Sequence, residues 1–209
     1  FRALGANGVN IRAIAQGSSE LNISSVISQK DIVKSLNALH ETFFLSDTKS
    51  IHLFVVGATG LIGTTLLEQI NRQQQFLAET QSLELKLVAV TNSRQMLFEE
   101  DGLDLENWNA TLKKKGKKAD LQQFIEKMKA MNLPNTIFVD CTASAAPIAH
   151  YADILSSSIS IVTPNKIANS SSLQNYVKYQ NLAKKHNVKF LYETNVGAGL
   201  PVINTLKDL

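Results

Sequence analysis

An apolar run, Ile51 to Val56, stops at Gly57, and glycine returns at Gly60 and Gly63 before the sequence turns helix-like. A strand, a glycine-rich turn and a helix in that order set a pyrophosphate against a helix N-terminus, where backbone N–H groups and the helix dipole both favour an anion. Gly57 can take the sharp turn, Gly60 lets backbone approach the phosphates with no Cβ in the way, and Gly63 allows close helix–strand packing. The commoner fingerprint has glycine at its first, third and sixth positions, where this chain has Gly57, Thr59 and Ile62. The expectation is a dinucleotide site; the alternative for the same residues is an ordinary strand-to-helix turn that uses glycine for positive φ.

Four further segments end strand-like runs and carry polar groups. Thr91-Asn92-Ser93-Arg94 has no Asp or Glu to take a ribose 2′-hydroxyl but does have the planar fork of Arg94, which favours NADP over NAD. In Asp140-Cys141-Thr142-Ala143-Ser144, small residues leave room for a flat ring, and the hydroxyls of Thr142 and Ser144 can bond ribose or phosphate. A thiolate mechanism at Cys141 would need a base or a positive field, and no His stands in a local motif with it, so a buried, inert thiol is expected. Thr163-Pro164-Asn165-Lys166 puts a lysine where it can bind a carboxylate, steady a nicotinamide or move a proton, with a surface lysine as the alternative. Glu193 to Pro201 offers a carboxylate and backbone oxygens around Gly197 and Gly199, suited to a hard cation, to a substrate or simply to a hinge.

These segments need a scaffold that brings strand ends together. Strand-like runs at 51–56, 85–91, 136–140, 160–163 and 188–192 alternate with helical runs at 61–75, 121–131, 146–155 and 173–185. That alternation predicts an α/β fold with a doubly wound parallel sheet, Rossmann-like, whose ligands lie beyond the carboxyl ends of the strands. Before Leu45 the pattern is different: strand-like 10–15 and 22–28 around the turn residues Gln16 to Glu20, a helical run over 31–44, and the end of a helix in 1–5. Two strands and one helix cannot bury a core alone, so this part is expected to need a partner. A polar link, Ser46 to Ser50, separates segment 1–45 from the domain 51–209.

Composition bounds the rest. With 209 residues and 44% hydrophobic content the chain can bury a sizeable core, and it has no apolar run of about 18 residues that could span a membrane. The net charge is +3, with the excess concentrated in Lys113 to Lys118, but no aromatic or Arg interleaving points to nucleic acid, and a solvated loop is expected there. One cysteine excludes an internal disulfide framework and suits a reducing, cytoplasmic compartment. The chain opens on Phe1 without an initiator Met or a signal-peptide pattern, as a piece of a longer protein would.

The segments AIAQGSSE (13–20), FVVGATGLIG (54–63), DGLDLENW (101–108), VDCTAS (139–144), VTPNK (162–166) and ETNVGAGLPVI (193–203) resemble those of the bifunctional aspartokinase/homoserine dehydrogenases. The likeness spans essentially the whole chain, and VTPNK and TNVGAGLP are its most specific parts. It implies that the first 44 residues are the end of an ACT regulatory region, making a partial ACT-like α+β segment, and that Ile51 onward is the NADP-binding domain. The family reduces aspartate 4-semialdehyde reversibly to homoserine by hydride transfer from a nicotinamide cofactor, NADP with NAD as a second option. By position, the resemblance assigns Gly57, Ala58, Thr59, Gly60, Leu61, Ile62 and Gly63 to the pyrophosphate, Asn92, Ser93 and Arg94 to the adenosine ribose end, and Thr142, Ala143 and Ser144 to the nicotinamide side.

It likewise puts the catalytic Lys166 near both nicotinamide and substrate, and gives Glu193, Val196, Ala198 and Leu200 to a monovalent cation such as Na+. Gln16 falls in the stretch resembling an effector site, with threonine as the expected inhibitor, and a homo-oligomer is implied. The kinase and substrate domains of the family lie outside this sequence, so the piece alone is expected to turn over poorly or not at all. Two other readings compete. A phosphorylating semialdehyde dehydrogenase would require a nucleophilic Cys141, and an amino-acid sensor without catalysis would bind no NADP.

Overall fold

The computed structural model describes residues 1–18, 21–43 and 49–208. Ser19 and Glu20 of the expected first turn, Phe44 at the end of the expected helix, and most of the expected link at 46–50 lie outside the described residues. The amino-terminal segment contains α1 (Arg2–Ala6), the hairpin strands β1 (Ala13–Gln16) and β2 (Ile23–Val26), and α2 (Ile32–Phe43). The hairpin is antiparallel, pairing Gln16 with Ile23 and Ala13 with Val26. Every residue of both strands is exposed, including Ile14, Ile23 and Val26, as are Val33, Leu36 and Phe43 on α2.

The remainder runs β3 (Lys49–Val56), α3 (Leu61–Gln81), β4 (Leu83–Thr91), β5 (Gln95–Phe98), α4 (Trp108–Lys115), β6 (Lys117–Lys118), α5 (Leu121–Met131), β7 (Thr136–Asp140), α6 (Tyr151–Ser156), β8 (Ser160–Val162), α7 (Ile167–Ser170), α8 (Leu173–Lys185), β9 (Phe190–Leu191) and α9 (Val202–Lys207). The seven strands β3 to β9 form one sheet in the order β6-β5-β4-β3-β7-β8-β9. Its central and right-hand pairs are parallel, while β5 and β6 run antiparallel at one edge. The expected doubly wound parallel sheet is present and carries an antiparallel edge in addition: Thr91 to Gln95 makes a tight turn that returns the chain beside β4, which only antiparallel pairing allows. The Lys113 to Lys118 run, expected as a solvated loop, forms the last turn of α4 and the edge strand β6.

Apolar side chains leave the sheet on both faces, as a central parallel sheet requires. On one face Leu53, Val55, Leu87 and Val90 pack with Leu67 of α3 and Trp108 and Leu112 of α4. On the other, Phe54, Val56, Val88 and Phe138 pack with Phe124, Ile125 and Met128 of α5, Ile154 and Leu155 of α6, and Tyr179 of α8. The register steps from Leu53↔Leu87 to Phe54↔Ala89, which leaves Val88 as an extra residue and lets Val88 and Ala89 face the same side. Each fully buried Leu or Phe contributes about 1.5 to 3 kcal/mol, so these two layers hold the strand ends firmly in place.

A polar junction joins the two parts. Asn132, in left-handed conformation (φ 47°) after α5, donates to the Asp31 carboxylate (3.0 Å) and the Lys30 carbonyl (3.2 Å) and accepts from the Lys34 ammonium (3.1 Å). Burial pushes the Lys34 ammonium below its ordinary pKa, against the opposing pull of Asp31. Among the described residues no helix is long and apolar enough to cross a membrane.

Candidate functional site

The sheet order reverses between β3 and β7: β3 leads to β4 on one side, and the chain later returns to β7 on the other. The crevice at the carboxyl ends of those two strands is the ligand position for such sheets. Gly57 N donates to Thr91 O (2.9 Å) and Cys141 N to Val56 O (2.9 Å), so the loops leaving β3, β4 and β7 are stitched around it.

Gly57 has φ +79°, and a Cβ there would lie 2.9 Å from Thr142 Cγ2; a Cβ on Gly63 would lie 2.4 Å from Gly57 O. Both positions need glycine, the first for conformation and the second for close approach. The amides of Gly57 and Ala58 donate to Thr91 O and that of Gly60 to Gly57 O, so these three residues shape the loop. Ala58 itself is fully buried. Gly60 caps α3 with no side-chain hydrogen bond, and an α-helix gives no internal partner to its first N–H groups, here those of Leu61, Ile62 and Gly63. Those amides and the helix dipole form an anion cradle that fits a pyrophosphate.

A groove of about 550 Å³ runs over this loop, lined by Gly57, Thr59, Gly60, Asn92, Ser93, Thr142, Ala143 and Ser144 among others. Asn92 Oδ1 accepts from the backbone N–H of Arg94 and of Gln95 (both 2.8 Å), which folds the turn after β4 and leaves Arg94 exposed at the margin of the groove. Gln95 pairs with Lys118, so the lysines of β6 flank the same margin. A second pocket of about 250 Å³ continues from the groove, sharing Cys141, Thr142 and Ala143 and adding Ile62, Pro164, Asn165, Lys166 and Ile167. Lys166 is exposed at the start of α7, with its carbonyl accepting from Asn169 N and Ser170 N.

The remaining expected site residues stand apart. The Glu193 carboxylate accepts from Ile203 N (2.8 Å) and Asn204 N (3.0 Å), which makes it the cap of α9. Val196, Ala198 and Leu200 follow in the connecting loop, Ala198 at φ +52°. Gln16 is exposed at the end of β1, on the amino-terminal segment. Cys141 is buried and its thiol is pushed up to about 12 by burial and the neighbouring Asp140 carboxylate, so it is not a thiolate nucleophile.

Sequence reasoning missed the group beneath the second pocket. Asp140, with no exposed surface, accepts from Thr142 N (2.8 Å), Tyr151 Oη (2.7 Å) and Asn165 Nδ2 (3.1 Å). The available signal was an acidic residue closing the apolar strand TIFVD, at the edge where ligands sit.

Residues 59–193 match the model for the NAD-binding domain of homoserine dehydrogenase, and residues 1–43 match an ACT domain. The whole chain is 43% identical to bifunctional aspartokinase/homoserine dehydrogenase 1, chloroplastic, of Arabidopsis thaliana, and 41% identical to the bifunctional aspartokinase/homoserine dehydrogenase of Buchnera aphidicola. It spans 23% and 25% of those relatives' lengths. A hyperthermophilic archaeal homoserine dehydrogenase solved in complex with NADPH superposes with a TM-score of 0.61 at 26% identity, over 76% of this chain and 48% of that one.

Proposed function

The chain belongs to the homoserine dehydrogenase family, of which it holds the NAD-binding domain behind an ACT segment, and from that membership we propose that it is the cofactor-binding part of an enzyme interconverting aspartate 4-semialdehyde and homoserine. A nicotinamide cofactor fits the groove: the α3 N-terminus would hold the pyrophosphate through the amides of Leu61 and Ile62, and the small residues Thr142, Ala143 and Ser144 would flank the nicotinamide. NADP is the form we favour, because Arg94, Lys117 and Lys118 gather cations at the ribose margin, where no carboxylate closes β4. When bound, the nicotinamide supplies the hydride chemistry.

The observation that carries the reading is the continuity of the groove into the Lys166 pocket through Cys141, Thr142 and Ala143. There Lys166 would meet the substrate, either holding its carboxylate or exchanging the proton that the alcohol releases as the aldehyde forms. Kinase activity toward aspartate belongs to the same proposal, in a part of the protein outside this sequence. So does a Na+-like cation in the loop of Glu193, Val196, Ala198 and Leu200, with Glu193 also tying that loop to α9.

Gln16 on the exposed end of β1 is proposed to contact threonine as a feedback effector, in a homo-oligomer whose further ACT parts cover the exposed hairpin. A cytoplasmic setting goes with this reading; the plant relatives are named chloroplastic. The buried, protonated Cys141 counts against a phosphorylating semialdehyde dehydrogenase. Titrating the protein with NADPH and with NADH, followed by cofactor fluorescence, tests the proposal: binding with preference for NADPH is expected, and binding of neither would refute it.

A further inference from the structure

We propose that Asp140 and Tyr151 are positioning residues for the Lys166 pocket, fixing the loop after β8 against the loop after β7 so that Lys166 meets the substrate in one geometry. The inference rests on the assignment of Lys166 to that pocket. A carboxylate without exposed surface is costly unless each oxygen is bonded, and here each is. Oδ1 accepts from Thr142 N (2.8 Å), which shapes the first loop. Oδ2 accepts from Tyr151 Oη (2.7 Å) and from Asn165 Nδ2 (3.1 Å), which ties down the second.

Asn165 is the link to the lysine. Its Nδ2 also reaches Ser144 O (2.8 Å), its backbone N–H donates to Thr163 Oγ1 (2.9 Å), and its Oδ1 accepts from Ile167 N (3.2 Å). The backbone on both sides of Lys166 is therefore pinned by one side chain whose amide hangs on Asp140. Thr163 Oγ1 donates to Asp140 O (2.9 Å), so both strand ends are joined through backbone as well. Tyr151 is fully buried against Phe138, Tyr179 and Phe190, and burial beside Asp140 raises its phenol pKa, which keeps it a proton donor to the carboxylate. Neither Asp140 nor Tyr151 lines the pocket itself, so an effect of either on turnover must travel through Asn165 and the loops.

The test uses the full-length enzyme and homoserine oxidation with NADP+. Tyr151→Phe keeps the ring packing and removes one charge-assisted hydrogen bond; Asp140→Asn keeps the shape and turns an acceptor oxygen into a donor facing Asn165. With assays run well below the melting temperature, both variants should lower kcat, Tyr151→Phe by about tenfold and Asp140→Asn by more. The NADPH dissociation constant and the homoserine KM should stay within about twofold of the parent, because the cofactor cradle on α3 is untouched. An unchanged kcat in both variants, whatever happens to the melting temperature, would make the network merely structural and overturn the proposal. Lys166→Ala assayed alongside separates the two readings. If it loses turnover while the other two do not, the positioning role alone fails; if it does not, the pocket assignment fails first.

Discussion

Gly60 and Gly63 sit three residues apart, at the cap and in the first turn of α3, yet adding a methyl group to each should break different things. A Cβ on Gly63 would stand 2.4 Å from Gly57 O, 2.7 Å from Ala58 O and 2.8 Å from Ala58 Cα, all backbone atoms, against an ordinary contact of 3.4 Å or more. Closing that gap requires the start of α3 to retreat by about 1 Å, from 3.4 minus 2.4, at an overpacking cost of about 1 to 3 kcal/mol. In a chain of this size each kcal/mol lowers the melting temperature by about 2 to 4 °C, so Gly63→Ala should melt roughly 2 to 12 °C lower. It should also bind NADPH more weakly, because the retreat carries the amides of Leu61 and Ile62 away from the pyrophosphate. A Cβ on Gly60 would meet only Gly57 O at 3.4 Å, with ordinary φ of −77°, and would project where Gly60 lines the groove. Gly60→Ala should therefore melt no more than about 4 °C below the parent, since alanine is a poorer helix cap than glycine by up to about 1 kcal/mol, while losing about tenfold or more in NADPH affinity. Thermal melts and fluorescence titrations of both variants provide the check. Equal melting temperatures, or a Gly60→Ala protein that binds NADPH like the parent, would refute the assignment of roles in this loop.

Three other outcomes follow from the same geometry. Arg94→Ala should lose NADP affinity by about tenfold to a hundredfold while NAD affinity changes little, since a charge-assisted phosphate contact contributes about 1.5 to 3 kcal/mol; equal losses for both cofactors would remove Arg94 from the 2′-phosphate. Gln16→Ala in the full-length enzyme should raise the threonine concentration needed for inhibition and leave uninhibited turnover intact, whereas a lower melting temperature with an unchanged threonine response would reduce Gln16 to a turn residue. With its thiol raised from 9.0 to about 12, folded Cys141 should react with iodoacetamide at pH 8 about a thousandfold more slowly than a free thiol and recover full reactivity in urea. The sign is set by burial and by the Asp140 carboxylate, both of which disfavour the thiolate.

How much of this was legible in the sequence depended on how local the cause was. Helices α5 and α8 match their expected bounds to the residue, and in the structure each starts at its own cap: Asp120 accepts from Gln123 N and Ser172 from Asn175 N. Strand β7 was equally clear, a five-residue run with the apolar centre Ile137 to Val139. Strands β5 and β6 were not seen, since a four-residue run and a lysine pair become strands only by pairing with β4 and with each other. Helix α3 runs six residues past its expected end, and of Phe76 to Gln81 only Leu77 is even partly buried, so this last stretch continues on a solvated face where hydrophobic periodicity gives little sign.

Within the site, the glycine loop and Lys166 could be named from spacing and position. The partners of Asp140 could not: Tyr151 reads as a core aromatic and Asn165 as a turn residue until the fold brings them within 3.1 Å of one carboxylate. At Glu193 the residue type offers a candidate ligand, while the contact its carboxylate makes, capping a helix that begins nine positions later, shows only in the fold.

The central claim is that the groove over Gly57 to Gly63 and the Lys166 pocket together serve homoserine and NADP, and homoserine-dependent reduction of NADP+ by the full-length enzyme measures it most directly. The rise of absorbance from NADPH should appear with the parent protein and fall by a hundredfold or more, on the order expected for a lost acid–base group, in Lys166→Ala, with NADPH binding and aspartate phosphorylation near the parent values. Turnover of Lys166→Ala at the parent rate, or no homoserine-dependent NADPH formation by the parent itself, would contradict it.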